Sequence, residues 1–398
     1  MTSAEALGTG GRGGGLDPAL EQRPPVPPLI PRYGESTLSD LATSILASLG
    51  VPGEPNPLGL ADADRACLLV IDGLGWGLLR EHQAAAPFLS ELAMSGGPLT
   101  AGFPATTVTS LSSLGTGLPP GQHGMLGYQV VVPGTGRLLN ALRWDKRVDP
   151  ISWQPASTIF ERAAAAGVAP FRIAQGSFRD SGLSTAVMRG AIYRSADTLG
   201  ALAATAAAAL EQEPRALAVV YEAGLDATGH VCGCTSDAWR FQLGHVDRLA
   251  EQLAGALPAG TALYITADHG MVDVSASDRL DADSIPELRD GVAILGGEPR
   301  ARHVYAEPGA GTDVLDNWRA ILGPSAWVAS RDEAIAEGWF GPVDPGLSDR
   351  IGDVVVACAG SWAVVATSAE PRETALSGMH GSLAASDQLV PLLVYGLG

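Results

Sequence analysis

The chain has 398 residues, with 25 Lys and Arg against 43 Asp and Glu, and a formal net charge of −18. At 46% hydrophobic and 17% charged it can bury a full core, which excludes a solvated, disordered chain. The acidic balance, with no run of five basic residues, excludes a phosphate-backbone binder, so long nucleic acid is not an expected partner.

In chain order, residues 1–35 read as a flexible tail, Gly-rich from Gly8 to Gly15 and Pro-rich from Pro24 to Pro31. The first 30 residues lack the basic start and apolar centre of a secretory signal. No apolar run of about 18 residues occurs, so no membrane span is expected. Residues 36–398 then read as one large domain. Cys67–Ile71 is a continuously apolar run that stops at Asp72-Gly73, the pattern of a buried parallel strand. Leu217–Tyr221, ahead of Asp226, and Ala262–Thr266, ahead of Asp268-His269-Gly270, repeat it. Between them Trp239, Leu243, Val246, Ala250, Leu253 and Leu257 recur at helical spacing, with Ser236 placed to cap the start. Strand and helix in alternation predict an α/β fold with a mainly parallel sheet. Residues 280–345 read as a small α+β insertion, with short strands at His303–Ala306 and Ala326–Ala329. The core pattern is expected to return at Asp353–Ala357 and Leu389–Tyr395. Cys67, Cys232, Cys234 and Cys358 are too few and too uneven for a disulfide framework, so a reducing cytoplasm is the expected compartment.

In such folds, groups just past the carboxyl ends of the strands converge on one crevice. Asp72, Asp226 and Asp268 stand there, with three of the seven histidines, His230, His269 and His380, in Gly-flanked or Asp-paired settings. A lone histidine near a strand end is usually a hydrogen-bonded core residue; six carboxylate and imidazole ligands at one crevice form a divalent-cation set. Zinc suits it best, with manganese or iron as alternatives. Three carboxylates and three imidazoles are enough for two cations and too many for one tetrahedral site. Gly102–Ser110 brings several hydroxyls to the start of a helix, where unpaired amides can cradle a phosphate-type anion.

The order Asp72-Gly73, Phe103-Pro104-x-x-Thr107, Gly115-Thr116-Gly117, His123-Gly124, Asp226-x-x-x-His230, Asp268-His269-Gly270-Met271 and Gly378-x-His380-Gly381 resembles the alkaline phosphatase superfamily. Within it, the pattern is most similar to the type I phosphodiesterase/nucleotide pyrophosphatase branch, over about residues 66 to 396. The resemblance implies a three-layer sandwich and two zinc ions. One ion would be held by Asp72, Thr107, Asp268 and His269, the other by Asp226, His230 and His380. It also implies Thr107, rather than its neighbour Thr106, as nucleophile, with Arg350–Asp353 marking the return from the insertion to the core sheet. Ser110 stands where the resemblance places an Asn that holds a non-bridging phosphate oxygen, and Thr109 replaces a usual Pro. The implied reaction is attack by Thr107 on phosphorus of a small phosphodiester or pyrophosphate, nucleotide-type substrates foremost, and hydrolysis of the phosphothreonine. Two divalent ions and three aspartates leave about +1 locally, enough to receive an anion inside an acidic protein. A phosphomonoesterase or phosphonate hydrolase on the same site, or a non-catalytic metal-stabilised protein, are the alternatives. A sulfatase is excluded, because no C-x-P-x-R or S-x-P-x-R motif occurs.

Overall fold

The computed structural model describes Pro24 and residues 26–396. Its centre is a seven-stranded sheet. The strands are β1 (Arg65–Ile71), β2 (Gly97–Thr100), β3 (Ala169–Ala174), β4 (Ile192–Ser195), β5 (Ala216–Glu222), β6 (Thr261–Thr266) and β7 (Leu389–Tyr395), in spatial order β2-β7-β6-β1-β5-β3-β4. The three apolar runs expected as strands are β1, β5 and β6. They lie side by side in parallel at the middle of the sheet, Leu68 pairing with both Val219 and Tyr264. Every residue of β5 and β6 is buried, and all of β1 after Arg65, which is why these runs are apolar throughout rather than alternating. Only β7 runs antiparallel, against β6 and β2. The sheet is thus the mainly parallel one expected, in an α/β fold with helices against it.

Three helices matter for the site: α1 (Thr107–Thr116), α2 (Gly224–Cys232) and α3 (Asp237–Ala256). Helix α3 buries Trp239, Leu243, Val246, Ala250 and Leu253 on one face, and the Ser236 hydroxyl accepts from Trp239 N at 3.1 Å to cap it.

The inserted segment forms its own four-stranded antiparallel sheet in the order Val292–Glu298, Ala301–Ala306, Val354–Cys358, Ala326–Ser330. Here the structure departs from the sequence reading. Val354–Cys358 does not return to the core sheet; it pairs with Ala301–Ala306 and Ala326–Ser330 inside the small one. An apolar run buried on both sides looks the same in either sheet, so patterning could not assign it. Ala363–Val365 still pairs within this region, with Arg279–Asp281, and the chain rejoins the central sheet only at β7. A fully buried ion pair, Arg300 to Asp387 at 2.9 Å, ties the small sheet to the segment leading into β7.

The expected flexible tail falls mostly outside the described residues, but its last part is held in place. Leu29 N donates to Leu383 O at 2.9 Å, and Tyr33 Oη donates to Trp339 O at 2.9 Å while accepting from Phe103 N at 3.1 Å. Tail behaviour therefore does not extend to residue 35.

Candidate active site

Each acidic or imidazole residue singled out in the sequence lies just past a strand end or in the first turns that follow. Asp72 is the residue after β1, and its N–H donates to Glu222 O at 2.9 Å. Gly73 is needed beside it: φ is +77°, and a Cβ there would sit 3.1 Å from the Cα and Cβ of Asp226. Asp268 and His269 follow β6. Asp268 Oδ1 accepts from Gly73 N at 3.1 Å and His269 N at 3.0 Å, which leaves Oδ2 without a partner. Gly270 lets this loop pass against Ser386, whose carbonyl would lie 1.9 Å from any Cβ. The Asp-Gly and Asp-His-Gly signatures are thus the backbone requirements of one crowded corner.

Asp72, Asp268 and His269 form one group whose ligand atoms lie within 4.8 Å of one another, all buried. Asp226, His230 and His380 form a second. Asp226 lies in the first turn of helix α2 and His230 sits four residues on, so both face one side; His230 Nε2 lies 3.3 Å from Asp226 Oδ2. His380 follows the short strand Gly378–Met379, which pairs antiparallel with Val272–Asp273. The groups adjoin, the rings of His269 and His380 stacking with centroids 3.6 Å apart.

The donor chemistry fits divalent cations. His230, His269 and His380 each turn Nδ1 to a backbone carbonyl, of Gly378 at 2.8 Å, Gly270 at 2.9 Å and Ala105 at 3.0 Å. A carbonyl only accepts, so in the neutral rings the proton is on Nδ1 and the Nε2 lone pair can be given to a cation. Asp72 Oδ1, Asp226 Oδ1 and Asp268 Oδ2 are buried without a hydrogen-bond partner, one orphaned oxygen on each carboxylate. Burial raises the pKa of all three, Asp226 and Asp268 to about 7, and Asp72's charge adds to the effect on Asp268. Burial opposes protonation of His269, but the charges of Asp268 and Asp72 outweigh it and hold its pKa well above the usual value. Burial and the neighbouring His269 and His230 push His380 well below. Such a cluster of buried carboxylates lacks its counter-charge, and cations are what would supply it.

Thr107 is the first residue of α1, as the hydroxyl-rich stretch suggested, and its Oγ1 lies 3.2 Å from His269 Nε2. The loop before it is fixed to the His380 segment by Ala105 N donating to Gly381 O at 2.9 Å. Thr106, the N-cap residue, makes no side-chain cap bond, and the amides of Thr107, Val108 and Thr109 have no partner among the described residues. Ser110 is not brought to the same opening. One turn into the helix, it is fully buried, its Oγ has no partner, and it does not line the cavity. That cavity, about 290 Å³, has Thr106, Thr107, Asp226, His230, His380 and Glu298 in its lining.

Of the aromatic residues open to either packing or contact roles, Trp153 is buried under the Arg350 guanidinium, 3.7 Å from its ring centre, and Trp144 donates to Val148 O. Tyr128 does line the cavity. Tyr221, at the end of β5, donates its hydroxyl to Asp72 Oδ2. Two residues went unnoticed in the sequence. Glu298, from the small sheet, reaches the cavity and places Oε2 3.6 Å from His380 Nδ1; burial pushes its pKa up to about 8. Arg172 is buried with its guanidinium 4.9 Å from the Tyr221 ring centre. Neither lies in a motif, and an isolated Glu or Arg carries no signal of where the fold will put it. His123, by contrast, belongs to a motif but is structural: Met125 N donates to its Nδ1 at 3.0 Å and Ser113 Oγ lies 3.1 Å from Nε2.

Among solved structures, the fold is similar to murine ectonucleotide pyrophosphatase/phosphodiesterase 5, an inactive form in complex with AMP. The TM-score is 0.66 at 18% identity, covering 83% of this chain and 88% of that one. The human protein of the same name gives 0.65 at 20% identity, covering 84% and 88%. Phosphonoacetate hydrolase from Sinorhizobium meliloti 1021, in complex with phosphonoformate, gives 0.62 at 19% identity, covering 83% and 89%. No curated protein matches the sequence. The family model for type I phosphodiesterase / nucleotide pyrophosphatase matches residues 66–383. With that match over most of its length, the chain belongs to the type I phosphodiesterase/nucleotide pyrophosphatase family and is a hydrolase of that type.

Proposed function

We propose that the protein hydrolyses phosphodiester or pyrophosphate bonds of small molecules through a phosphothreonine on Thr107, at a site for two divalent cations, zinc foremost. The observation that carries this reading is the meeting of Thr107 with two three-residue ligand groups, each carboxylate of which has an orphaned oxygen. Asp72, Asp268 and His269, with Thr107, would hold one cation, and Asp226, His230 and His380 the other. Bound there, the cations would supply Lewis-acid stabilisation of charge on the attacking and leaving oxygens.

The chain's own residues do the rest. A threonine hydroxyl is a weak nucleophile at neutral pH and needs its proton removed. His269 Nε2 lies 3.2 Å from that hydroxyl, but at the loaded site its lone pair would be given to the cation, so loss of the hydroxyl proton would rest on the Lewis acidity that a cation held by Asp72, Asp268 and His269 supplies. The unpaired first-turn amides of α1, with the positive end of the helix, point donors at a non-bridging oxygen. Thr107 Oγ1 forms a bond to phosphorus as the bond to the alcohol or nucleotide leaving oxygen breaks. Water then attacks phosphorus of the phosphothreonine, the bond to Thr107 Oγ1 breaks, and a phosphate monoester such as a nucleoside monophosphate is released.

AMP in the murine protein and phosphonoformate in the bacterial one are small phosphorus-bearing ligands, which supports a small-molecule substrate here. The second of these keeps phosphonate hydrolysis as the alternative. The cysteine usage is the ground for proposing a cytoplasmic setting. No helix among the described residues is long and apolar enough to cross a membrane. Release of nitrophenol from bis(4-nitrophenyl) phosphate with added zinc, abolished by a chelator, tests the reading. A preference for a matched monoester would turn it towards a phosphatase.

A further inference from the structure

The cavity that holds Thr107, Asp226, His230 and His380 is also lined by residues of a different character. Arg143 and Arg372 line it, with Tyr128, Leu142, Glu373 and Leu376. Arg143 lies just beyond the hairpin strand Arg137–Asn140, and Arg372 lies in the short helix Pro371–Thr374, so two segments far apart in sequence each bring an arginine to the lining of one cavity. Both side chains are exposed, and neither guanidinium has an ion-pair or hydrogen-bond partner among the described residues.

Acidic residues outnumber basic ones 43 to 25, and many arginines are engaged, such as Arg137 and Arg147 on Asp145, Arg162 on Glu54 and Arg331 on Asp353. Arg80 and Arg194 also lack an ion pair among the described residues, but each lies over an aromatic ring and neither lines the cavity. A carboxylate is even at hand. Glu373 lines the same cavity, yet it accepts from Tyr128 Oη at 3.1 Å and lies within 4 Å of neither guanidinium. A planar guanidinium matches carboxylate and phosphate oxygens two at a time, and two of them in one cavity lining describe an anion clamp. Leu142, Leu376 and the Tyr128 ring lie beside it, an apolar surface for whatever links that anion to the reacting phosphorus.

We propose that the substrate carries a second anionic group, a phosphate or a carboxylate, held by Arg143 and Arg372 while its phosphorus meets Thr107. This rests on the hydrolase reading above and narrows its substrate class. A compact dianion is selected; a long polyanion would meet the protein's overall negative charge.

The test compares the zinc-loaded wild type with the Arg143→Gln/Arg372→Gln double variant. Three substrates are used: bis(4-nitrophenyl) phosphate, which has no second anion, a dinucleoside pyrophosphate, and phosphonoacetate. Wild type should favour one of the two doubly anionic substrates in kcat/KM, which identifies the anion as phosphate or carboxylate. The double variant should lose about 10²-fold on that substrate, as expected for two charge-assisted contacts. That loss should exceed its loss on the plain diester at least tenfold. Equal losses on all three, or no wild-type preference for a second anion, would overturn the proposal. Calorimetric binding of inorganic pyrophosphate separates this idea from the catalytic one. Binding that weakens tenfold or more in the double variant, in a protein that turns over none of the three, would leave the clamp standing and remove the hydrolase reading. Binding unchanged by the double substitution would remove the clamp.

Discussion

Thr107 Oγ1 and His269 Nε2 are 3.2 Å apart, and that same nitrogen lies 3.3 Å from Asp72 Oδ1 and 3.6 Å from Asp268 Oδ2. The hydroxyl proposed to attack therefore shares its nearest basic atom with two carboxylates. Because His269 Nδ1 is fixed on Gly270 O, the imidazole has no other use for Nε2. Proton removal from the hydroxyl and cation binding thus compete for one lone pair, and cation loading is expected to decide whether Thr107 is a hydrogen-bonded side chain or a nucleophile.

The first prediction contrasts the two hydroxyl residues of the α1 first turns. Thr107→Ala should lower kcat for diester hydrolysis by about 10³-fold or more, as removal of a covalent nucleophile does, while leaving thermal stability near that of wild type. Ser110→Ala should change kcat/KM less than about threefold, because a buried Oγ that does not line the cavity has no phosphate oxygen to hold. Steady-state kinetics on both variants decides. A Ser110→Ala loss as deep as that of Thr107→Ala would restore Ser110 to the site, and wild-type activity in Thr107→Ala would end the covalent scheme.

The second prediction concerns stoichiometry. Wild type should hold about two divalent ions per chain. Asp268→Asn and His230→Ala, one from each ligand group, should each reduce this to about one. Metal analysis after equilibrium dialysis reads the result directly. If either single substitution emptied both sites, the two groups would be one cooperative unit.

How much of this was legible in the sequence follows from what each signal depends on. The three central strands were readable because burial on both faces forces continuous apolarity. The convergence of the six candidate ligands was readable because strand ends place them and the Gly residues beside them are forced by close approach, as Gly270 against Ser386 shows. The same apolar signal failed for Val354–Cys358, since patterning reports burial and not which sheet does the burying. Ser110 shows a related limit: spacing along the helix brings it near Thr107 in sequence, while the fold buries its hydroxyl away from the cavity lining. Glu298 and the Arg143–Arg372 pair come from segments distant in the chain, and only the fold sets them around one opening.

The third prediction tests Tyr221. Its hydroxyl donates to Asp72, whose other oxygen is orphaned, so it holds a proposed ligand in orientation without touching substrate. Partners of this kind are worth roughly 10- to 100-fold in metal affinity. Tyr221→Phe should weaken the tighter or the weaker of the two zinc dissociation constants by that factor, with KM for the diester changed little at saturating zinc. A competition titration with a chromophoric chelator measures it. Unchanged affinity would mean that Asp72 is positioned by the backbone alone, through its own N–H on Glu222 O.

The fourth prediction is a pH dependence away from the ligand groups. Burial lowers the pKa of His303 from 6.5 to about 4, and burial together with the Arg350 charge lowers that of His123 to about 3. Both are neutral in the fold with both ring nitrogens engaged; His303 Nε2 donates to Leu126 O at 2.8 Å and Nδ1 accepts from Gly352 N at 3.1 Å. Below pH 6.5 the unfolded chain binds a proton that the folded chain refuses until the pH nears 4, so this residue's contribution, complete above 6.5, is lost as the pH falls. The stability gap between wild type and His303→Gln should therefore be constant above pH 7. It should shrink below pH 6.5 by roughly 1.4 kcal/mol per pH unit, levelling near pH 4. Subtracting the variant removes the cation-site titrations that both proteins share. Urea unfolding from pH 7.5 to 4.5 gives the gap. If it stayed flat, the imidazole would be taking up its proton inside the fold, and one of its two backbone contacts would have to open to admit it.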